Sequence, residues 1–343
     1  MKSATLKEIA QQLNISITTV SKALKDYSDV SPATKRAVLE LAKKLNYSPN
    51  SFAVNLRTSE SRLVGLIIPE VVHHFFSNVI KGIIAEAEKN GYLVIILQSN
   101  ESGDLERKQV NLLINKRVDG ILISLSNETN DDEHLKEILT REIPLVQFDK
   151  ISKLIPSSKV IINDQKAAAE AVQHLIDQGC RKIAHIRGPV NPQNAIDRFL
   201  GYKKTLEKNN IKYNPNLVYT CKYVTYTEGY AFAKQMLEEH PDIDGLFVVT
   251  DLVSVGAITY FNENKIKMPQ QIAIVGFSNW FMSEIITPKL SSVDQPNFEM
   301  GVRAFQLLLD EINHKKDGKK YVTETVTLGT KIIIRESSLK III

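Results

Sequence analysis

Four residues in one short segment have the side chains needed to read a base edge. Ile17, Thr18, Ser21 and Lys22 share the outward face of a short helical stretch. A lysine can donate to guanine O6 and N7, a threonine hydroxyl can bond either way, and an isoleucine can touch a thymine methyl. Charge points the same way. Residues 1–62 hold ten Lys/Arg against five Asp/Glu, whereas the other 281 positions hold 33 against 34. The formal net charge of +4 is thus an excess confined to a small N-terminal segment, suited to a polyanion. On a generic three-helix bundle the same residues would be a solvated face, so the elements around them decide.

Bond-making chemistry is not visible. The sequence contains no Gly-x-Ser-x-Gly elbow, no Gly-x-x-x-x-Gly-Lys phosphate loop, no Gly-x-Gly-x-x-Gly and no His-Glu-x-x-His. His73 and His74 are adjacent on an extended segment, so their rings point apart and lack a third ligand. Cys180 and Cys221 are too few for a disulfide framework and read as thiols in a reducing cytosol. No catalytic residue, metal or cofactor is expected, and no enzyme. No apolar run reaches the ~18 residues of a membrane span, and Met1–Thr5 lacks an apolar signal core. A cytoplasmic protein is predicted. At roughly 100–200 residues per domain, 343 residues make two or three domains.

The elements that position the first constellation can be read from their caps. Thr5-Leu6-Lys7-Glu8 is a capping box, followed by Leu6, Ile9, Ala10 and Leu13 at helical spacing. Asn14 supplies the turn. Ser16 caps a second helix, from Ile17 to about Lys25, with Val20, Ala23 and Leu24 inward. Ser31-Pro32 opens a third, carrying Val38, Leu41, Ala42 and Leu45. Two helices on so tight a turn, propped by a third, make a helix-turn-helix whose second helix enters the DNA major groove.

From residue 61 the pattern changes to short apolar runs alternating with amphipathic helices. Runs such as Leu63–Pro69, Gly120–Leu125, Pro144–Phe148 and Ile272–Phe277 are continuously apolar, which predicts parallel strands covered on both faces. They are too many for one sheet, and Val160–Asp164 is a natural crossing point. The expected fold is therefore a small all-α headpiece plus an α/β body of two doubly wound parallel-sheet subdomains around a cleft. Ligands in such sheets bind beyond the carboxyl ends of the strands. That rule selects Phe75, Phe76, Ser124, Ser126, Asp149, Arg198, Thr250, Asp251 and Ser278–Trp280. Arg198 follows Asn194 by four residues and offers a planar fork to vicinal hydroxyls or a carboxylate. Asp149 accepts hydroxyls, and Phe75, Phe76 or Trp280 can stack on a sugar or a base. Each aromatic could instead be core filler.

Several of these residues also carry a resemblance. Thr5-Leu6 with Ile9-Ala10, then Ile15–Leu24, Val30-Ser31, Thr34, Leu45–Tyr47 and Pro49-Asn50 closely resemble the headpiece of the lactose/galactose repressor (LacI/GalR) family. The match runs on through Ala53, Leu56 and Val64-Gly65, and the body follows the same pattern to about residue 336. It implies a headpiece at 1–49 and a hinge helix and linker at 50–60. It also implies a periplasmic-binding-protein-like effector and dimerisation domain at 61–343, whose lobes would be about 61–161 with 291–320, and about 162–290 with 321–343. The expected DNA contacts are Thr5, Leu6, Ile17, Thr18, Ser21, Lys22, Ser31, Thr34, Tyr47, Asn50, Ala53, Val54 and Leu56. A helix as short as 50–58 is unstable alone and would order only when paired with its copy on DNA. There the resemblance implies that Leu56 wedges into the minor groove.

The resemblance singles out Asp149 and Arg198 as effector contacts and marks departures. Ser278 stands where the family commonly has Asp, and Thr250-Asp251 where it commonly has Asn-Asp. Val224 occupies an aromatic position, with Tyr223 and Tyr226 nearby. The tail lacks leucine heptads, so a homodimer is expected. The whole reads as a DNA-binding transcriptional regulator, most often a repressor in this family. It would bind a pseudo-palindromic double-stranded operator, gated by a small polar effector such as a carbohydrate. A purine-type corepressor, or a solute-binding protein without DNA binding, are the rival readings.

Overall fold

The computed structural model describes residues 5–45, 47, 60–72 and 74–340. The chain divides into two compact units between Ser61 and Arg62. The first unit is three helices, α1 (Leu6–Leu13), α2 (Ile17–Leu24) and α3 (Pro32–Lys44). Both halves of the Thr5–Glu8 capping box are formed, and Asn14 takes the left-handed conformation (φ 49°) that turns the chain. Ile9, Val20 and Val38 are fully buried and knit the three helices together.

The second unit alternates strand and helix. In chain order it contains β1 (Leu63–Ile68), α4 (His74–Lys89), β2 (Leu93–Gln98), α5 (Gly103–Asn115) and β3 (Gly120–Ile123). Next come α6 (Glu133–Thr140), β4 (Leu145–Phe148), β5 (Ser158–Ile162), α7 (Asp164–Asp177) and β6 (Ile183–Arg187). These are followed by α8 (Gln193–Lys208), β7 (Val218–Thr220), α9 (Tyr226–Glu239), β8 (Gly245–Val248) and α10 (Asp251–Glu263). The chain closes with β9 (Ala273–Phe277), α11 (Met282–Ile285), β10 (Ser291–Asp294), α12 (Asn297–Lys316), β11 (Thr325–Leu328) and β12 (Lys331–Ile333). One sheet has the order β11-β5-β4-β3-β1-β2, all parallel; the other has β12-β10-β9-β8-β6-β7, parallel except for β12. Helices cover both faces. In the first lobe, α4 and α12 cross at two glycines: a Cβ on Gly82 would lie 2.2 Å from Phe298 O, and one on Gly301 2.1 Å from Val79 O.

Two pieces of the expected lobe division are corrected. Residues 291–294 belong to the second sheet, not the first, because β10 lies parallel beside β9 with Ser292 opposite Gly276. Residues 325–328 belong to the first sheet, not the second, because β11 extends along β5 with Val326 opposite Val160. The chain therefore crosses between lobes after Ile162, after Asp294 and after Leu328.

Candidate functional site

In the first unit, Ile17 and Thr18 are exposed on α2, with Ser21 and Lys22 half-buried beside them. The Lys22 ammonium is bridged to the Asp29 carboxylate in the α2–α3 loop. Other expected DNA contacts already have local partners. The Thr5 hydroxyl accepts from Glu8 N (3.3 Å), and the Ser31 hydroxyl accepts from Thr34 N (3.2 Å) and lies 2.8 Å from Thr34 Oγ1. Leu6 packs against the helical core, and so does Tyr47, whose hydroxyl pKa burial raises. Asn50, Ala53, Val54 and Leu56 lie outside the described residues.

The second unit holds a cavity of about 300 Å³ at the carboxyl ends of both sets of strands. That is near the lower limit for a small-molecule pocket. Phe75, Phe76 and Asp149 reach it from the first lobe, and Asn194, Arg198, Thr250, Asp251, Ser278 and Trp280 from the second. Asp149 leaves β4 in a left-handed conformation (φ 55°), and Asn194 Nδ2 donates to its Oδ1 across the cleft at 3.2 Å. Lys153 and Asp197 also meet across it, at 3.4 Å. Burial raises the Asp149 carboxyl pKa, opposed by the charges of Arg198 and Lys150.

Arg198 is 5% exposed and tightly fixed. Its Nε donates to Asp164 Oδ1 (2.7 Å), its Nη1 to Val249 O (2.9 Å), and its guanidinium lies 3.7 Å over the Phe277 ring. Among the described residues Nη2 has no hydrogen-bond partner. Burial outweighs the attraction of Arg198 and pushes the Asp164 carboxyl up to about 6.

Two expected contacts are revised. Ser124 does not reach the cavity: the chain after β3 turns beneath Lys150, with Leu125 N donating to Lys150 O at 2.9 Å, and Ser124 is wholly buried. Its hydroxyl instead accepts from Lys150 N at 3.4 Å. Asp251 reaches the wall, but its carboxylate faces inward. It accepts from Ser292 Oγ (2.6 Å), Trp280 N (2.6 Å) and Ser283 Oγ (2.9 Å). A Cβ at Gly276 would come within 2.3 Å of Asp251 Oδ1, so β9 has a glycine where this carboxylate sits. Asp251 fixes the Trp280 backbone, and both of its carboxylate oxygens are already engaged within the fold. Its carboxyl is pushed up to about 6 by burial, against these three bonds.

The structure adds wall residues that the sequence reading passed over. Lys150 bridges Glu101 Oε1 (2.6 Å) and Asn127 Oδ1 (2.7 Å), and all three line the cavity. The carboxyl-end rule reaches each of them, because they follow β4, β2 and β3. Gln295 accepts from Ser278 Oγ at 2.8 Å and was missed because Ser-Ser-Val-Asp does not read as a strand. Tyr223 lines the wall beside Val224, as its position allowed.

Two family profiles account for nearly the whole chain. "Bacterial regulatory proteins, lacI family" matches residues 5–50, and "Periplasmic binding proteins and sugar binding domain of LacI family" matches residues 61–331. The chain belongs to the LacI family. Among its relatives is the ribose operon repressor of Halalkalibacterium halodurans, 32% identical over 97% of both chains. Catabolite control protein A of Priestia megaterium is 31% identical over 90% of this chain and 92% of its own. A complex of the transcriptional regulator CelR with cellobiose has 26% identity and a TM-score of 0.74, covering 97% of this chain and 99% of that one. The lac repressor dimer bound to operator and the anti-inducer ONPF shares the fold, with a TM-score of 0.87 at 24% identity over 99% and 100% of the two chains. As a LacI-family member the chain is a DNA-binding transcriptional regulator with an effector-binding body. Among the described residues no helix is long and apolar enough to cross a membrane, and no group of three or more His, Cys, Asp or Glu could hold a metal ion.

Proposed function

We propose that this regulator is a cytoplasmic homodimeric repressor whose operator affinity is set by a small neutral sugar in the interlobe cavity. The observation that carries the reading is the cavity itself, walled by both lobes and spanned by the Asn194–Asp149 bond. A ligand there touches both lobes at once and so has different affinities for different lobe angles, which is what shifting a conformational equilibrium requires. Asp149 accepts sugar hydroxyls through Oδ2, Arg198 donates through Nη2, and Trp280 and Phe76 supply apolar ring faces. The names of two relatives, a ribose operon repressor and a cellobiose-bound regulator, support a carbohydrate.

Dimerisation is supported by β2, an edge strand that leaves Leu93 71% and Ile96 36% exposed. An unpaired apolar edge is a surface for a second copy to cover. On the operator, α2 of each copy reads one half of a pseudo-palindrome, and residues 50–58 pair at its centre.

The test is a thermal-shift screen of the full chain against D-ribose, cellobiose, hexoses, sugar phosphates and purines, followed by operator titration with each hit. A sugar that raises the melting temperature and changes operator affinity is expected. A shift with purines alone refutes the sugar reading in favour of a nucleobase corepressor.

A further inference from the structure

Lys22 is not free on the face of α2. Its ammonium is bridged to Asp29, seven residues on, in the loop that leads to α3. That loop is anchored rather than loose. Tyr27 N donates to Lys22 O at 3.1 Å, Val30 N to Tyr27 O at 3.3 Å, and the Val30 side chain is 7% exposed. Asp29 is thus set beside a buried residue, with its carboxylate presented at the surface next to α2. The Lys22 contact holds the Asp29 carboxyl below its ordinary range, so it is ionised wherever the protein works. A second pair, Lys35 with Asp26 (2.6 Å), uses the same loop but joins it to α3 instead.

An ammonium is a compact point charge with three rotatable donors, and left alone it is attracted to any phosphate. The bridge changes both properties. The pair carries no net charge, so a phosphate gains little by approaching it. One N–H is committed to Asp29, and two remain. A guanine edge presents two acceptors, O6 and N7, that can take those two donors while the bridge persists. We propose that Asp29 is a specificity-determining residue, which turns Lys22 from a general phosphate ligand into a reader of a two-acceptor base edge. This rests on the reading of α2 as the groove-entering helix.

The experiment uses the full-length protein, a duplex selected by it from a random library, and random-sequence genomic DNA. In Asp29→Asn, affinity for random DNA rises and the slope of log affinity against log salt steepens by about one. The ratio of selected to random affinity falls about tenfold. Asp29→Glu keeps the wild-type ratio. Asp26→Asn removes the same charge from the same loop and also keeps it. An unchanged ratio in Asp29→Asn overturns the proposal, and so does an equal fall in Asp26→Asn, which would make the effect one of net charge. Lys22→Ala separates the two levels. If it leaves the selected site unweakened, the reading of α2 fails. If it weakens that site while Asp29→Asn keeps its ratio, only the role of Asp29 fails. Asp29 and Asp26 are both solvent-exposed, so their variants leave the helical core intact, and a melting curve of Lys22→Ala checks the same for that variant.

Discussion

Replacing Arg198 tests the cavity wall and the buried ion pair behind it at once. Arg198→Ala removes the partner of Asp164, whose carboxyl lies at about 6 instead of its ordinary 3.8 even with the guanidinium 2.7 Å away. An acid whose folded pKa is raised loses stability as pH climbs through the window between the two values. In the wild type that loss saturates above pH 6, at about 3 kcal/mol, because each tenfold change in proton affinity is worth about 1.4 kcal/mol. Without Arg198 the carboxyl stays protonated to higher pH, so the loss keeps growing. The extra cost from titration is near zero at pH 5.5 and grows as pH rises above 6, by at most about 1.4 kcal/mol per pH unit. The Val249 carbonyl and the Phe277 ring also lose their donor and cation, which brings the total at neutral pH to about 3–5 kcal/mol. Urea unfolding of the full chain from pH 5.5 to 8 measures this directly. The double variant Arg198→Met with Asp164→Asn removes the uncompensated charge, recovers most of the stability and flattens the pH dependence. It should still fail to respond to effector in operator titrations. A single variant whose deficit does not grow with pH refutes the ion-pair account. A double variant that responds fully at unchanged effector concentration shows that Arg198 does not hold the ligand.

Asp251→Asn removes a second buried acid raised to about 6 and should gain stability relative to wild type as pH rises from 4.5 to 7.5; a flat difference between their melting curves would contradict a raised carboxyl there. Gly82→Ala places a methyl group 2.2 Å from Phe298 O and should cost roughly 1–3 kcal/mol by forcing α4 and α12 apart, measurable by urea unfolding; wild-type stability would contradict the close crossing. Leu56→Ala should impair binding to a selected operator while leaving folding and effector binding intact, and unchanged operator affinity in a gel-shift titration sinks the minor-groove wedge.

The headpiece was legible because its signals are local. Thr5, Asn14, Ser16 and Ser31-Pro32 each act within a few residues, and the three helices begin where those caps place them. The body alternation was legible because parallel strands buried on both faces must be apolar throughout. What failed depended on distant partners. Ser291 and Ser292 form a buried strand only because Ser337, Arg335 O and Asp251 satisfy their polar groups, which no local pattern announces. The cavity residues follow from a topological rule, so Phe76, Asp149 and Trp280 could be named from strand ends. That rule fixes where a residue lies, not where its atoms point. Hence Ser124 falls short of the wall that its strand end suggests, and the Asp251 oxygens are already occupied by Trp280, Ser283 and Ser292.

The interleaving of the two lobes has a consequence for how the protein is made. The first sheet opens with residues 63–162, yet one of its two edge strands is 325–328, with Thr327 set opposite Ile161, and one of its covering helices is 297–316. A ribosome must therefore synthesise nearly all of the second lobe before the first can be finished. During that interval the outer edge of β5 has no neighbour and the face of α4 that receives α12 is open to water. Such long-range closure is slow, and exposed edges and apolar faces on a nascent chain are targets for aggregation and for chaperones. A stop codon between residues 163 and 324 leaves the first lobe without a strand, even though most of its sequence has already been translated.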